Sequence, residues 1–242
     1  MTVAGRTFLI LYVCLTVVLI LIGFHLALHV VPPDASQGNV GRILYYHVPN
    51  WIAMSCCFFT NLAASILYLL YRVRRPDVAL ISDAVAVSTA EVGLIFCSLG
   101  LITGSIWGRA VWGIWWTWDA RLTATLVLWL MYVSYLVLRK VSVEDEGRTL
   151  SAVLAIFAYC DVPIVYMSTR WWRTQHPAPV FFAGPEAGLD PRMQPALTWN
   201  IYAWLAWGLL LVGIRLATEL RRQAIAQHEI SQALEAPVPV EG

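Results

Sequence analysis

The chain has 242 residues, 59% of them hydrophobic and 13% charged, with a formal net charge of +1. The near-neutral balance gives no reason to look for nucleic acid, and the apolar residues lie in long uncharged runs rather than in the pattern of one compact core. Five cysteines without a CxxC pair or a CxxCH site exclude a thiol oxidoreductase and a c-type cytochrome, and there is no Walker, zincin or nucleophile-elbow motif.

A run of about 20 apolar residues suffices to cross a bilayer. Six such runs are predicted, at residues 7–31, 48–71, 81–106, 122–138, 149–169 and 197–217. The expected fold is therefore all-α: an integral membrane protein of six transmembrane helices spanning residues 1–220, with 221–242 as a cytoplasmic C-terminal tail. With the N-terminus cytoplasmic, ten Lys and Arg residues fall inside and six outside, densest at 72–75. The positive-inside rule then places both termini in the cytoplasm and turns residues 32–47, 107–123 and 171–196 outward.

The first run is longer than a signal-peptide core and no small-residue cleavage site follows it, so it reads as a retained helix. It carries His25 and His29 at i, i+4, spaced for a metal or for simple packing, and stops at Pro32 and Pro33. The next outer loop delivers His47 to the membrane edge, flanked by Tyr45, Tyr46 and Trp51, with Pro49 as a first-turn residue of the second span. Glu91 falls deep in the third span, where an ionisable residue is costly; a neutral, hydrogen-bonded structural carboxyl is expected. The inner loop 139–148 reads as a solvated turn of mixed charge. In the fifth span Asp161 precedes Pro163, which predicts a break that either shapes a cavity or serves helix packing. The outer loop that follows begins STRWWRTQH and ends in a Gly- and Pro-rich stretch. The cysteines, all within spans, are expected as small packing residues.

Between the third and fourth spans lies WGRAVWGIWWTWDARLT, residues 107–123, which holds five of the twelve tryptophans. An aromatic belt needs one or two rings per helix end. Five on one connection suggest a platform for a large flat ligand. If the segment is helical, Trp112, Trp115, Trp116 and Asp119 share one face. His47 lies in the outer loop before this platform and His176 in the one after it. Aromatic walls, imidazole nitrogens and nearby cations together suit a metalloporphyrin, with His47 and His176 as axial iron ligands and Arg42, Arg109, Arg121 or Arg173 for its carboxylates. The alternative is that both histidines are unrelated boundary anchors.

The segment at 107–123 resembles the tryptophan-rich "WWD" signature of haem-handling proteins of cytochrome c maturation. Residues 37–51 (QGNVGRILYYHVPNW), 101–108 (LITGSIWG) and 161–176 (DVPIVYMSTRWWRTQH) are similar to the CcmC family within that group. The resemblance implies a protein, not itself an enzyme, that holds haem b (iron protoporphyrin IX) at the periplasmic face of the bacterial inner membrane. It implies loading of a CcmE-like chaperone and association with CcmA-, CcmB- and CcmD-like subunits of an ABC transporter complex. The implied site comprises His47, His176, Trp107, Trp112, Trp115, Trp116, Trp118, Asp119 and Arg121. A haem lyase acting on apocytochrome c and a b-type electron-transfer cytochrome are the rival readings.

Overall fold

A computed structural model describes residues 2–142, 144–177, 180–181 and 189–235, and all the regular secondary structure among them is helical. Six helical stretches are long and apolar enough to cross a membrane. The helices are α1 (Val3–His25), α2 (Leu44–Tyr71), α3 (Pro76–Trp112), α4 (Ala120–Val141), α5 (Glu144–Tyr159), α6 (Asp161–Trp171) and α7 (Gln194–Glu235). Residues 236–242 of the expected tail lie outside the described part. α7 is continuous across the residue-220 boundary drawn from composition.

α1 is capped by Thr2, whose Oγ1 accepts the Gly5 amide, and ends in a single π turn, Leu26–Val30. It buries little of itself, and Phe8, Ile10, Leu11 and Leu21 stand exposed as a lipid-facing helix requires. Its tie to α7 is polar: Asn200 Nδ2 donates to the Gly23 carbonyl at 3.0 Å.

The core is the α2–α3 pair. A Cβ added at Gly93 or Gly100 would come within 2.5 Å of the Phe58 or Trp51 ring, and one at Gly104 within 3.1 Å of His47. The side chains of α2 therefore rest directly on the backbone of α3, the close approach that small residues permit between membrane helices. Phe58 also stacks on Tyr132 at 3.6 Å, which draws α4 into the same core.

The fifth span is broken, as its proline predicts. α5 stops at Tyr159, Cys160 turns, and α6 restarts at Asp161 with Pro163 in its first turn, where the missing N–H cannot bond back. α5 packs on α2 and α4, with Tyr159 against Phe59, whereas α6 packs chiefly on α4. The C-terminal half of this span, α6, is thus splayed away from α2.

Two expectations about charged residues are corrected. The 139–148 turn is not simply solvated: Arg139 chelates Asp83 at 2.6 and 2.8 Å, and Arg148 reaches the same carboxylate at 3.3 Å, with Asp83 only 2% exposed. Glu91 is not a lone neutral carboxyl, because Arg215 grips both of its oxygens at 2.5 and 2.8 Å. Arg215 also bonds Glu219, which Arg222 holds from the other side. Each chain-distant pair removes an unpaired charge from an apolar span.

Candidate functional site

The tryptophan segment is not one helix. α3 runs through Trp107 to Trp112 and is closed by Gly113 in the left-handed conformation, φ 77°, and residues 113–119 then cross as an irregular strap to α4. Asp119 caps α4 by accepting the Leu122 amide at 2.9 Å. The shared face expected for Trp112, Trp115, Trp116 and Asp119 therefore does not form. A left-handed glycine in the middle of the motif ends the helix before it can.

The splayed α6 leaves a cavity of about 740 Å³, within the range of cofactor pockets. Its upper part is lined by His47, His176, Trp107, Trp112, Trp116 and Arg121. Its lower part is apolar, with Met54 and Leu128 facing Val162 and Val165. Trp115 and Trp118 lie outside this lining, 61% and 75% exposed, and Asp119 lies outside it too. Of the four candidate arginines only Arg121 reaches the cavity. Arg42 bonds the Ala27 carbonyl and Asn39, Arg109 bonds the Gly113 carbonyl, and Arg173 is exposed. His25 and His29 pack ring to ring at 5.6 Å, away from the cavity.

His47 was expected in the loop ahead of the second span, but it lies inside α2, buried to 6% exposure. A short 3-10 turn, Asn39–Ile43, starts the helix early and leaves Pro49 within it. Both ring nitrogens are engaged. Thr103 Oγ1 lies 2.9 Å from Nδ1 and donates its own hydrogen to the Leu99 carbonyl at 2.7 Å, so it accepts from Nδ1–H. Nε2 accepts the Trp51 indole N–H at 2.8 Å, as it must, since an indole only donates. One tautomer satisfies both bonds. Trp107 meets the same imidazole edge-on at 5.6 Å and donates to Gln37 at 2.7 Å, tying the α1–α2 connection to α3.

His176 follows the end of α6 and is held through Asp119. Thr174 Oγ1 donates to the Asp119 carboxylate at 3.0 Å and accepts the His176 amide at 3.0 Å. The ring's Nδ1 donates to the Pro177 carbonyl at 2.8 Å, and among the described residues Nε2 has no partner. Burial first, and the Arg121 cation second, push this imidazole down to about 4. The ring is therefore neutral at ordinary pH, with its Nε2 lone pair available.

Two more donors lie in the same place: among the described residues, Arg121 Nη1 and the Trp116 indole N–H are buried without a hydrogen bond. Buried polar atoms are rarely left so. An occupant with two acidic groups would satisfy both. The arrangement thus offers two neutral imidazoles, aromatic walls and an anion-seeking cation, fitting an iron porphyrin.

Residues that sequence reasoning passed over are Thr103, whose hydroxyl orients His47, and the glycine seam of α3. Glycines at 93, 100 and 104, separated by seven and four, were a readable signal for a closely approached helix face.

Comparison with known proteins places the chain in a family. The family model described as CcmC, heme exporter protein C, matches residues 1–231. The chain is similar to heme exporter protein C of Haemophilus influenzae (31% identity, covering 88% of this chain and 85% of the relative). It is likewise similar to that of Bradyrhizobium diazoefficiens (36%, covering 90% and 81%) and of Escherichia coli (31%, covering 83% and 79%).

Proposed function

The chain belongs to the heme exporter protein C (CcmC) family, and from that premise we propose that it captures haem b in the cavity and passes it to a CcmE-like chaperone. The observation that carries this reading is one cavity lined by His47, His176, four tryptophans (Trp51, Trp107, Trp112 and Trp116) and Arg121, whose buried Nη1 has no hydrogen-bond partner among the described residues. Haem here is cargo, held and released rather than resident. His47 and His176 donate Nε2 lone pairs to the iron, and Arg121 with Trp116 receives the propionates. Trp107 and Trp112 wall the porphyrin. Asp119 acts at one remove, fixing the start of α4 and, through Thr174, the loop that carries His176.

In this proposal the site end faces the periplasm, with both termini in the cytoplasm of a bacterium and the protein in the inner membrane. CcmA-, CcmB- and CcmD-like subunits drive release, so the chain itself is a handling protein rather than an enzyme. The test is an absorption spectrum of detergent-purified protein, wild type beside His47→Ala and His176→Ala. Both variants are expected to fold, to lose haem on dilution and to load less chaperone. Wild-type levels of holo-chaperone from both would overturn the assignment.

A further inference from the structure

The two imidazoles differ in readiness. His176 presents Nε2 free of any partner among the described residues, whereas Nε2 of His47 is occupied by the Trp51 N–H. The position of Trp51 is not loose. Its ring lies against the bare backbone of Gly100, one helical turn below the Gly104–His47 contact, and both side chains belong to α2 at i, i+4. Thr103 holds the opposite nitrogen and fixes the proton on Nδ1. Such a second partner commonly orients a metal-binding histidine and raises its basicity.

We infer that Trp51 is an internal competitor for the iron: its indole N–H occupies the His47 lone pair in the empty protein, yields it on loading and reclaims it on release. The inference rests on the haem reading above and deepens it. On loading, the Nε2 lone pair exchanges the indole hydrogen bond for a coordinate bond to iron. No proton moves, because Nδ1–H stays on Thr103. On release the hydrogen bond re-forms, so breaking the iron–His47 bond does not leave a bare nitrogen in an apolar pocket. Binding then has an order: His176 takes the iron first, and His47 closes on it second. The His47 bond is the weaker of the two to keep, which suits a protein whose cargo must leave.

The test compares wild type with Trp51→Phe, Thr103→Val and Thr103→Ser in detergent, without and with haem. In the haem-free protein, diethyl pyrocarbonate should carbethoxylate His47 several-fold faster in Trp51→Phe, with His176 unchanged, as mapped by peptide mass. With haem, loss to apomyoglobin should slow roughly twofold to tenfold in Trp51→Phe, the worth of one competing hydrogen bond. Thr103→Val should lose haem faster and show less of the low-spin spectrum of two axial histidines, and Thr103→Ser should restore both. Equal carbethoxylation and equal haem loss in Trp51→Phe and wild type overturn the competitor. Should Trp51→Phe misfold, the Thr103 pair decides: identical behaviour of Val and Ser overturns the inference. A wild type that takes up no haem overturns the haem reading and this inference with it, a result the carbethoxylation rates keep distinct.

Discussion

Arg121→Met separates what the site does for its cargo from what it costs the empty protein. Arg121 Nη1 is buried with no hydrogen bond among the described residues, while the Asp119 carboxylate offsets part of the charge. An unmade buried hydrogen bond costs about 1–3 kcal/mol, and with partial compensation the lower part of that range, about 1–2 kcal/mol, applies here. Methionine keeps the packing of the stem and removes the unsatisfied group. For a chain of this size each kcal/mol moves the melting temperature by about 2–4 °C, so the haem-free variant should melt about 2–8 °C higher. The loaded protein should respond in the opposite sense. A hydrogen bond to a charged group contributes about 1.5–3 kcal/mol, and its loss should weaken haem retention roughly ten- to a hundredfold. The assay is thermal unfolding of the haem-free protein in detergent beside haem transfer to apomyoglobin. A variant that melts lower yet keeps its haem would refute the reasoning and make Arg121 a packing residue.

Asp83→Asn leaves the guanidinium groups of Arg139 and Arg148 facing an uncharged amide, and breaking a buried pair in this way costs about 3–5 kcal/mol. Scanning fluorimetry in detergent should show a fall in melting temperature, and an unchanged value would remove the trio from the account of stability. Gly100→Ala inserts a methyl where the Trp51 ring lies within 2.5 Å, and overpacking of this kind costs about 1–3 kcal/mol. It should lower the melting temperature and, by displacing the indole, raise His47 carbethoxylation; a variant equal to wild type in both would show that the seam is not tight. His176 titrates near 4 when folded, against its ordinary 6.5, so below pH 6.5 the unfolded chain binds the proton first. The stability this ring contributes is complete above 6.5 and declines as pH falls from 6.5 through 4. Unfolding of the haem-free protein at stepped pH, wild type beside His176→Gln, checks it: the wild-type decline in that window should be shallower in the variant.

The six spans were legible because crossing a bilayer demands a length of apolar chain that nothing else in a protein of this composition needs. His47, His176 and the tryptophan cluster were legible as candidates for one site, and both histidines and three of the cluster's tryptophans do line one cavity. What sequence could not supply was the partner of each charged residue: Glu91 finds Arg215 and Asp83 finds Arg139 across helices far apart in the chain. The helical face drawn through Trp112, Trp115, Trp116 and Asp119 failed at a single point, because Gly113 adopts a positive φ and ends α3. Its effect is to divide the tryptophans, with Trp107, Trp112 and Trp116 turned to the cavity and Trp115 and Trp118 exposed. Thr103 escaped notice because a threonine in an apolar run looks like filler until the nitrogen 2.9 Å away is seen.

The break at Cys160 gives the binding chamber one stiff jaw and one hinged jaw. His47 belongs to the stiff one, where α2 is bedded on glycine backbone, while His176 extends from α6, which has parted from α2 and leans on α4. A swing about Cys160 would carry His176 away from His47, changing the separation of the two imidazoles while the rest of the bundle keeps its arrangement. Pressure on the exposed end of α6 would act through a lever of 11 residues, so that a small push at the surface becomes a change in the distance between His176 and His47.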